Sequence, residues 1–160
     1  MACGVIFNPK SPEGRSRLQA QGDDWLKPIL ATGAFDVVNV HDYYVPGSPE
    51  INGWTFESYL QHVRNLAAES GAGPKPVWIT ETGYVSEPIV TNGRRDEASP
   101  EAQAIRLAAA YRAARATNVE RMFWLFLRDA PATGYFGSMG LAEKSGQRRP
   151  AWQAFIDASR

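Results

Sequence analysis

One cysteine, Cys3, and two histidines are the whole supply of thiol and imidazole groups in the 160 residues. A lone cysteine excludes an internal disulfide, and so few histidines give no metal framework of recognisable spacing. The expectation is no metal and no cofactor. Net charge is missing as well, because seventeen Lys and Arg balance seventeen Asp and Glu. Without a global field, neither nucleic acid nor an anionic membrane is an expected partner. The pairs Arg94-Arg95 and Arg148-Arg149 are too short for basic patches and read as solvated loop charges. No run approaches the roughly 18 apolar residues of a membrane span. The N-terminus has no charged segment followed by an apolar one. Secreted and cytoplasmic residence both remain open.

What the chain does have is a hydrophobic content of 44%, enough for one domain with a real core and too short for two ordinary ones. Apolar, β-prone runs alternate with amphipathic stretches, giving about four strand-helix units. The runs are Gly4 to Phe7, Phe35 to His41, Val77 to Glu81 and Arg121 to Leu127. A short helix is expected over Asp24 to Leu30, ending at Gly33. A second spans about Thr55 to Ser70, with Phe56, Tyr59, Leu60, Val63, Leu66 and Ala67 on one face. Ser99-Pro100 supplies an N-cap followed by proline at the first helical position, and Ala104, Leu107, Ala108, Tyr111 and Ala114 continue the stripe. Pro150 opens the last helix, with Trp152, Phe155 and Ile156 inward. Alternating strands and helices predict a parallel sheet. The long segments after the strands, over 44–54, 82–98 and 128–149, place function on their side.

The most informative stretch is Lys75-Pro-Val-Trp-Ile-Thr-Glu-Thr-Gly-Tyr84, a buried-strand pattern that ends in one carboxylate. Reacting groups collect at the C-terminal ends of parallel strands, which makes Glu81 a candidate for chemistry. Strict alternation puts Glu81 on the side of Val77 and Ile79. A helix-capping glutamate, or one paired with an arginine, is the plainer alternative. On the neighbouring strand, Asn39, His41 and Tyr43 share a face by twos, so His41 and Tyr43 are candidate donors to Glu81. An imidazole satisfied by backbone and a tyrosine that anchors a loop are the plainer readings. Trp78, Trp25 and Trp152 are expected to pack under helices.

Four segments in order, Phe35-Asp-Val-Val-Asn-Val-His-Asp-Tyr43, Trp78-Ile-Thr-Glu-Thr-Gly-Tyr84, Arg121-Met-Phe-Trp-Leu-Phe-Leu-Arg-Asp129, and Phe136-Gly-Ser-Met-Gly-Leu141 with Arg149-Pro-Ala-Trp152, resemble the C-terminal half of clan A retaining glycoside hydrolases, particularly xylosidase-like and endoglucanase-like members. The resemblance implies an α/β, TIM-barrel-like half-barrel, a single incomplete domain over 1–160. It implies Glu81 as the nucleophile, His41 and Tyr43 beside it, and Trp124, Tyr84 and Trp54 as further sugar-binding residues. It implies an oligosaccharide or polysaccharide as partner. The clan's acid/base glutamate follows an asparagine at the end of an earlier strand, and this chain has no Asn-Glu pair. Asp129 and Glu87 are the nearest stand-ins, each reading more readily as a solvated loop carboxylate. Weak or absent activity is then expected of the chain alone, with a homodimer or an N-terminal half-barrel needed to cover the sheet. A non-catalytic sugar-binding or self-assembling module is the alternative. A metal-dependent barrel using His41, Asp42, Glu81 and Asp129 has no defensible ligand spacing.

Overall fold

Five strands and three helices organise the part of the chain that the computed structural model describes, residues 23, 24, 26–43, 54–91, 94–96, 98–132 and 134–160. In chain order they are β1 (Val38–His41), α1 (Phe56–Glu69), β2 (Val77–Thr82), β3 (Ile89–Thr91), β4 (Arg94–Asp96), α2 (Pro100–Ala116), β5 (Arg121–Trp124) and α3 (Pro150–Ala158). A further helical stretch covers residues 26–31. Strands β1, β2 and β5 form one parallel sheet in that order, with α1 and α2 as the crossovers. This is the α/β alternation expected of a parallel sheet covered by helices.

Local chemistry sets the helix boundaries. Thr55 and Ser58 close a reciprocal capping box on α1, the Thr55 hydroxyl accepting from the Ser58 N–H at 3.1 Å and the Ser58 hydroxyl from the Thr55 N–H at 2.9 Å. Ser99 caps α2 by accepting the Ala102 N–H at 3.1 Å, and Pro100 follows where a missing N–H costs nothing. Each cap stabilises its helix by about 1 kcal/mol. Behind them lies the core. Val38, Val40, Val77 and Ile79 point from the sheet toward Phe56, Leu60, Val63, Leu66 and Ala67 of α1. Met122 and Trp124 of β5 pack on the same cluster.

The opposite face of the sheet is of different character. Asn39 there donates to the Thr80 hydroxyl at 3.0 Å, and Phe123 is 46% exposed with its ring 6.1 Å from Trp78. Trp78 was to pack under a helix by its sequence context. It lies instead on this second face, its indole N–H donating to Glu120 at 2.8 Å, because Val77 and Ile79 occupy the helix-facing positions. Trp152 does join the cluster between α2 and α3. Trp25 and the expected first strand, Gly4 to Phe7, lie outside the described residues. Three further boundaries differ from expectation. β1 begins at Val38 rather than Phe35, β5 ends at Trp124 rather than Leu127, and the polar segment after β2 carries the antiparallel pair β3–β4.

Candidate active site

The parallel register sets His41 of β1 opposite Glu81 of β2. Both strands are irregular here, between Val40 and His41 and between Ile79 and Thr82. Such irregularities re-aim side chains at strand ends. Regular alternation would turn Glu81 toward the helices with Val77 and Ile79; instead its carboxylate meets Tyr43 and His41. The Tyr43 hydroxyl donates to Glu81 Oε2 at 3.0 Å, and His41 Nδ1 lies 3.2 Å from the same oxygen. One hydroxyl donor and one adjacent imidazole nitrogen both approach the same oxygen, so the carboxylate is gripped on one side. The Glu81 side chain is 36% exposed, so it is held and also reachable. The Glu81 carbonyl accepts the Asp42 N–H at 3.0 Å, which ties the strand end to β1.

Behind the strand ends, two side chains fasten the loops. Gln103 of α2 is fully buried, and its amide nitrogen donates to the carbonyls of Tyr84 at 2.8 Å, Gly140 at 3.3 Å and Ser138 at 3.4 Å. One amide thus joins the segment after β2 to the segment after β5. Asp129 and Arg149 form the second fastening, with paired bonds of 2.7 and 2.8 Å and side chains 6% exposed on both partners. The Gly140 N–H donates to Asp129 Oδ1 at 2.9 Å, and Arg149 donates to the Gly140 carbonyl at 3.1 Å. The hydrogen bond to Asp129 holds the Arg149 guanidinium above its ordinary value despite burial, with Glu143 and Glu87 adding weaker attraction. Asp129 is therefore neither a solvated loop carboxylate nor placed to donate a proton, since both oxygens are committed to a cation. Arg149 is likewise buried, not a solvated loop charge. Glu87 is exposed and lines a cleft of about 580 Å3 with Asp129, Lys144 and Arg149.

The remaining candidates make their described contacts with other side chains, although Trp124 stands in register with Thr82, next to Glu81. Tyr84, expected at the sugar, is 1% exposed in the core, its ring edge-on to Trp124 at 5.7 Å. Trp124, the expected platform, packs on the clusters under α1, α2 and α3 and donates from its indole to the Met139 carbonyl at 2.9 Å. Its helix-facing place follows from the same alternation that exposes Phe123. Trp54 lies against α1, 4.8 Å from the His62 ring and 5.9 Å from Tyr59. His41, Asp42, Glu81 and Asp129 do not gather: among the described residues no three His, Cys, Asp or Glu side chains come together as a metal site. The buried bonds of Gln103 and Arg149 were not legible in the sequence, the first residue lying within an alanine-rich stripe and the second within an arginine pair.

Comparison with known proteins gives a consistent answer. The profile of the Glycosyl hydrolase catalytic core family matches residues 6–155. No curated protein matches the chain. Solved structures do. A family 39 glycoside hydrolase from the gut symbiont Bacteroides cellulosilyticus is 21% identical with a TM-score of 0.56, over 88% of this chain and 31% of that one. A family 128 endo-β-1,3-glucanase from Amycolatopsis mediterranei is 21% identical with a TM-score of 0.58, over 84% and 52%. A xylanase from Cellvibrio japonicus is 16% identical with a TM-score of 0.57, over 87% and 44%. The chain thus spans about a third to a half of these three enzymes, and its three parallel strands and their helices match part of a TIM barrel. With that profile running along nearly its whole length, the chain belongs to the glycosyl hydrolase catalytic core family.

Proposed function

We propose that this chain is the C-terminal part of a retaining glycoside hydrolase barrel in which Glu81 is the nucleophile. The observation that carries the reading is the asymmetric grip on its carboxylate: Tyr43 and His41 occupy Oε2. Oε1 then attacks the anomeric carbon, the bond to the leaving oxygen breaks, and a glycosyl ester forms on Glu81. As charge leaves the carboxylate, the Tyr43 and His41 donors keep its orientation and then stabilise it again as leaving group in the second step.

A retaining pair needs its second carboxyl group about 5 to 5.5 Å from the first. The stand-ins within this chain do not serve, Asp129 being clamped by Arg149 and Glu87 being exposed beside that clamp. We assign the acid/base to another half of the barrel, supplied by an N-terminal segment or by a second copy of the chain. On the sheet face opposite the helices Trp78 and Phe123 stand 6.1 Å apart with Phe123 46% exposed, and such a cover would bury this aromatic pair. The substrate class is an oligosaccharide or polysaccharide, and β-linked glucan and xylan are the first to test. A purely sugar-binding module is the second reading, consistent with the missing acid.

Aryl glycosides with strongly acidic phenols need little help from a general acid. Their hydrolysis by the chain is expected to disappear in Glu81→Ala and to fall in Tyr43→Phe. Equal rates for wild type and Glu81→Ala would remove the nucleophile assignment.

A further inference from the structure

Three consecutive carbonyls in the segment after β5 are each held by side chains from elsewhere in the chain. The Ser138 carbonyl accepts from the Ser86 N–H and hydroxyl, both at 2.9 Å, and from Gln103 at 3.4 Å. The Met139 carbonyl accepts the Trp124 indole N–H at 2.9 Å, and the Gly140 carbonyl accepts from Arg149 at 3.1 Å and Gln103 at 3.3 Å. Peptide groups pinned in succession by a buried network fix the direction in which the side chain between them leaves the backbone. That side chain is Met139, which is 0% exposed. It lies directly over Gly83, where an added Cβ would stand 2.9 Å from Met139 Cε and 3.7 Å from Sδ. Gly83 is the first residue past β2 and the second after Glu81. Met139 also forms, with Val85 and Ala98, the cluster on which Tyr43 packs. Tyr43 carries the hydroxyl that holds Glu81. One buried side chain thus belongs to the packing behind both partners of that hydrogen bond, the strand end that carries Glu81 and the ring of Tyr43.

We propose that Met139 is a positioning residue, a wedge that sets the Tyr43–Glu81 bond by fixing the end of β2 against the Tyr43 cluster; its role in catalysis rests on Glu81 being the nucleophile. The need for a wedge comes from the strands themselves. β2 is irregular between Ile79 and Thr82, and β1 between Val40 and His41, so a regular ladder does not dictate where Glu81 and its partners aim. Packing from behind does. Methionine suits the place, because its unbranched chain fills an irregular gap and the missing Cβ at Gly83 lets it reach the backbone. Being fully buried, Met139 touches no sugar. Its loss should therefore misplace the attacking carboxylate and slow the attack without weakening sugar binding.

The test compares wild type with Met139→Ala, Met139→Leu, Gly83→Ala, the double variant Gly83→Ala with Met139→Ala, and Leu66→Ala, a truncation in the separate core under α1. All are measured below their unfolding midpoints. The first readout is the rate at which an activated 2-deoxy-2-fluoro-glycoside labels Glu81, followed by intact mass over a range of reagent concentrations. Met139→Ala should lower the limiting rate by roughly tenfold to a hundredfold and leave the half-saturating concentration unchanged. Met139→Leu refills most of the space and should recover most of that rate. Leu66→Ala also opens a core cavity and should label as wild type does. Gly83→Ala should slow labelling alone and add no further loss to Met139→Ala, where the methionine is already gone. The second readout needs no reaction: the carbon-13 resonance of Tyr43 Cζ should move toward its value in Glu81→Ala when Met139 is cut to alanine, and stay in place in Leu66→Ala. A resonance unmoved in Met139→Ala, or moved as far in Leu66→Ala, overturns the wedge. Labelling of Met139→Ala at the wild-type rate overturns it and leaves the nucleophile standing. No labelling of wild type, with the resonance moved by Met139→Ala alone, removes the nucleophile and keeps Met139 as the residue that sets the Tyr43–Glu81 bond.

Discussion

Replacing Asp129 by alanine should destabilise the fold far more than a loop carboxylate has any right to. Its two oxygens receive both terminal nitrogens of Arg149, at 2.7 and 2.8 Å, and the Gly140 N–H at 2.9 Å. Both charged side chains are 6% exposed. Removing the carboxylate leaves a guanidinium buried with the Gly140 carbonyl as its remaining neutral partner and strands the Gly140 N–H. Breaking one side of a buried pair costs about 3 to 5 kcal/mol. For a chain of this length each kcal/mol moves the unfolding midpoint by roughly 2 to 4 °C, so a fall of about 6 to 20 °C is expected. The double variant Asp129→Leu with Arg149→Met removes both charges together and should lose only about 1 to 2 kcal/mol, since a buried pair stabilises little over well-packed apolar residues. Chemical denaturation of Asp129→Leu, Arg149→Met, their double variant and wild type closes the cycle. An Asp129→Ala cost below about 1 kcal/mol, the value of a solvated pair, or additive single effects, would refute the clamp.

Three other outcomes follow from the same structure. Tyr111 donates to the Met122 carbonyl at 3.3 Å, and burial pushes its phenol up to about 12. A raised folded value means the unfolded chain gives up this proton first, from about pH 10, so stability is full below pH 10 and falls as pH rises toward 12. Tyr111→Phe should flatten that part of the pH–stability curve, and an unchanged slope would contradict it. Gly140→Ala should be more damaging than most glycine substitutions, because its Cβ would stand 2.3 Å from the Asp129 backbone nitrogen and 2.5 Å from the Ala142 carbonyl oxygen. A loss of at least roughly 3 kcal/mol in denaturant titration is expected, and a loss under about 1 would contradict that packing. Tyr43→Phe should lower turnover of activated aryl glycosides by about tenfold with little change in KM, since the lost bond orients Glu81 and does not touch sugar; an unchanged kcat would remove Tyr43 from the site.

Much of this was legible in the sequence, and the exceptions have common causes. Local signals carried the helices: Ser99 with Pro100 announces the start of α2, and the apolar stripe from Phe56 to Ala67 is the face of α1 that packs. The alternation of strand and helix carried the parallel order. The carboxylate at the end of β2 was visible because a charge closes an apolar run. Its direction was not, since period-two counting fails wherever a strand is irregular, as between Ile79 and Thr82. Counting did describe β5, and applying it there would have set Trp124 under the helices and Phe123 in the open. Long-range polar partners were hidden for a different reason. Asp129 and Arg149 are twenty residues apart, and nothing local to either reveals the other. Gln103 sits among alanines and finds its acceptors 19, 35 and 37 positions away.

Covalent trapping tests the central claim most directly. A 2,4-dinitrophenyl 2-deoxy-2-fluoro-glycoside has a leaving group that departs without an acid, and its fluorine slows release of the glycosyl ester. Incubation of the chain with the gluco, xylo and galacto forms, followed by intact-mass and peptide-mass spectrometry, should show one glycosyl adduct on the peptide that holds Glu81, absent in Glu81→Ala. An adduct on another carboxylate, or one that persists in Glu81→Ala, would contradict the assignment.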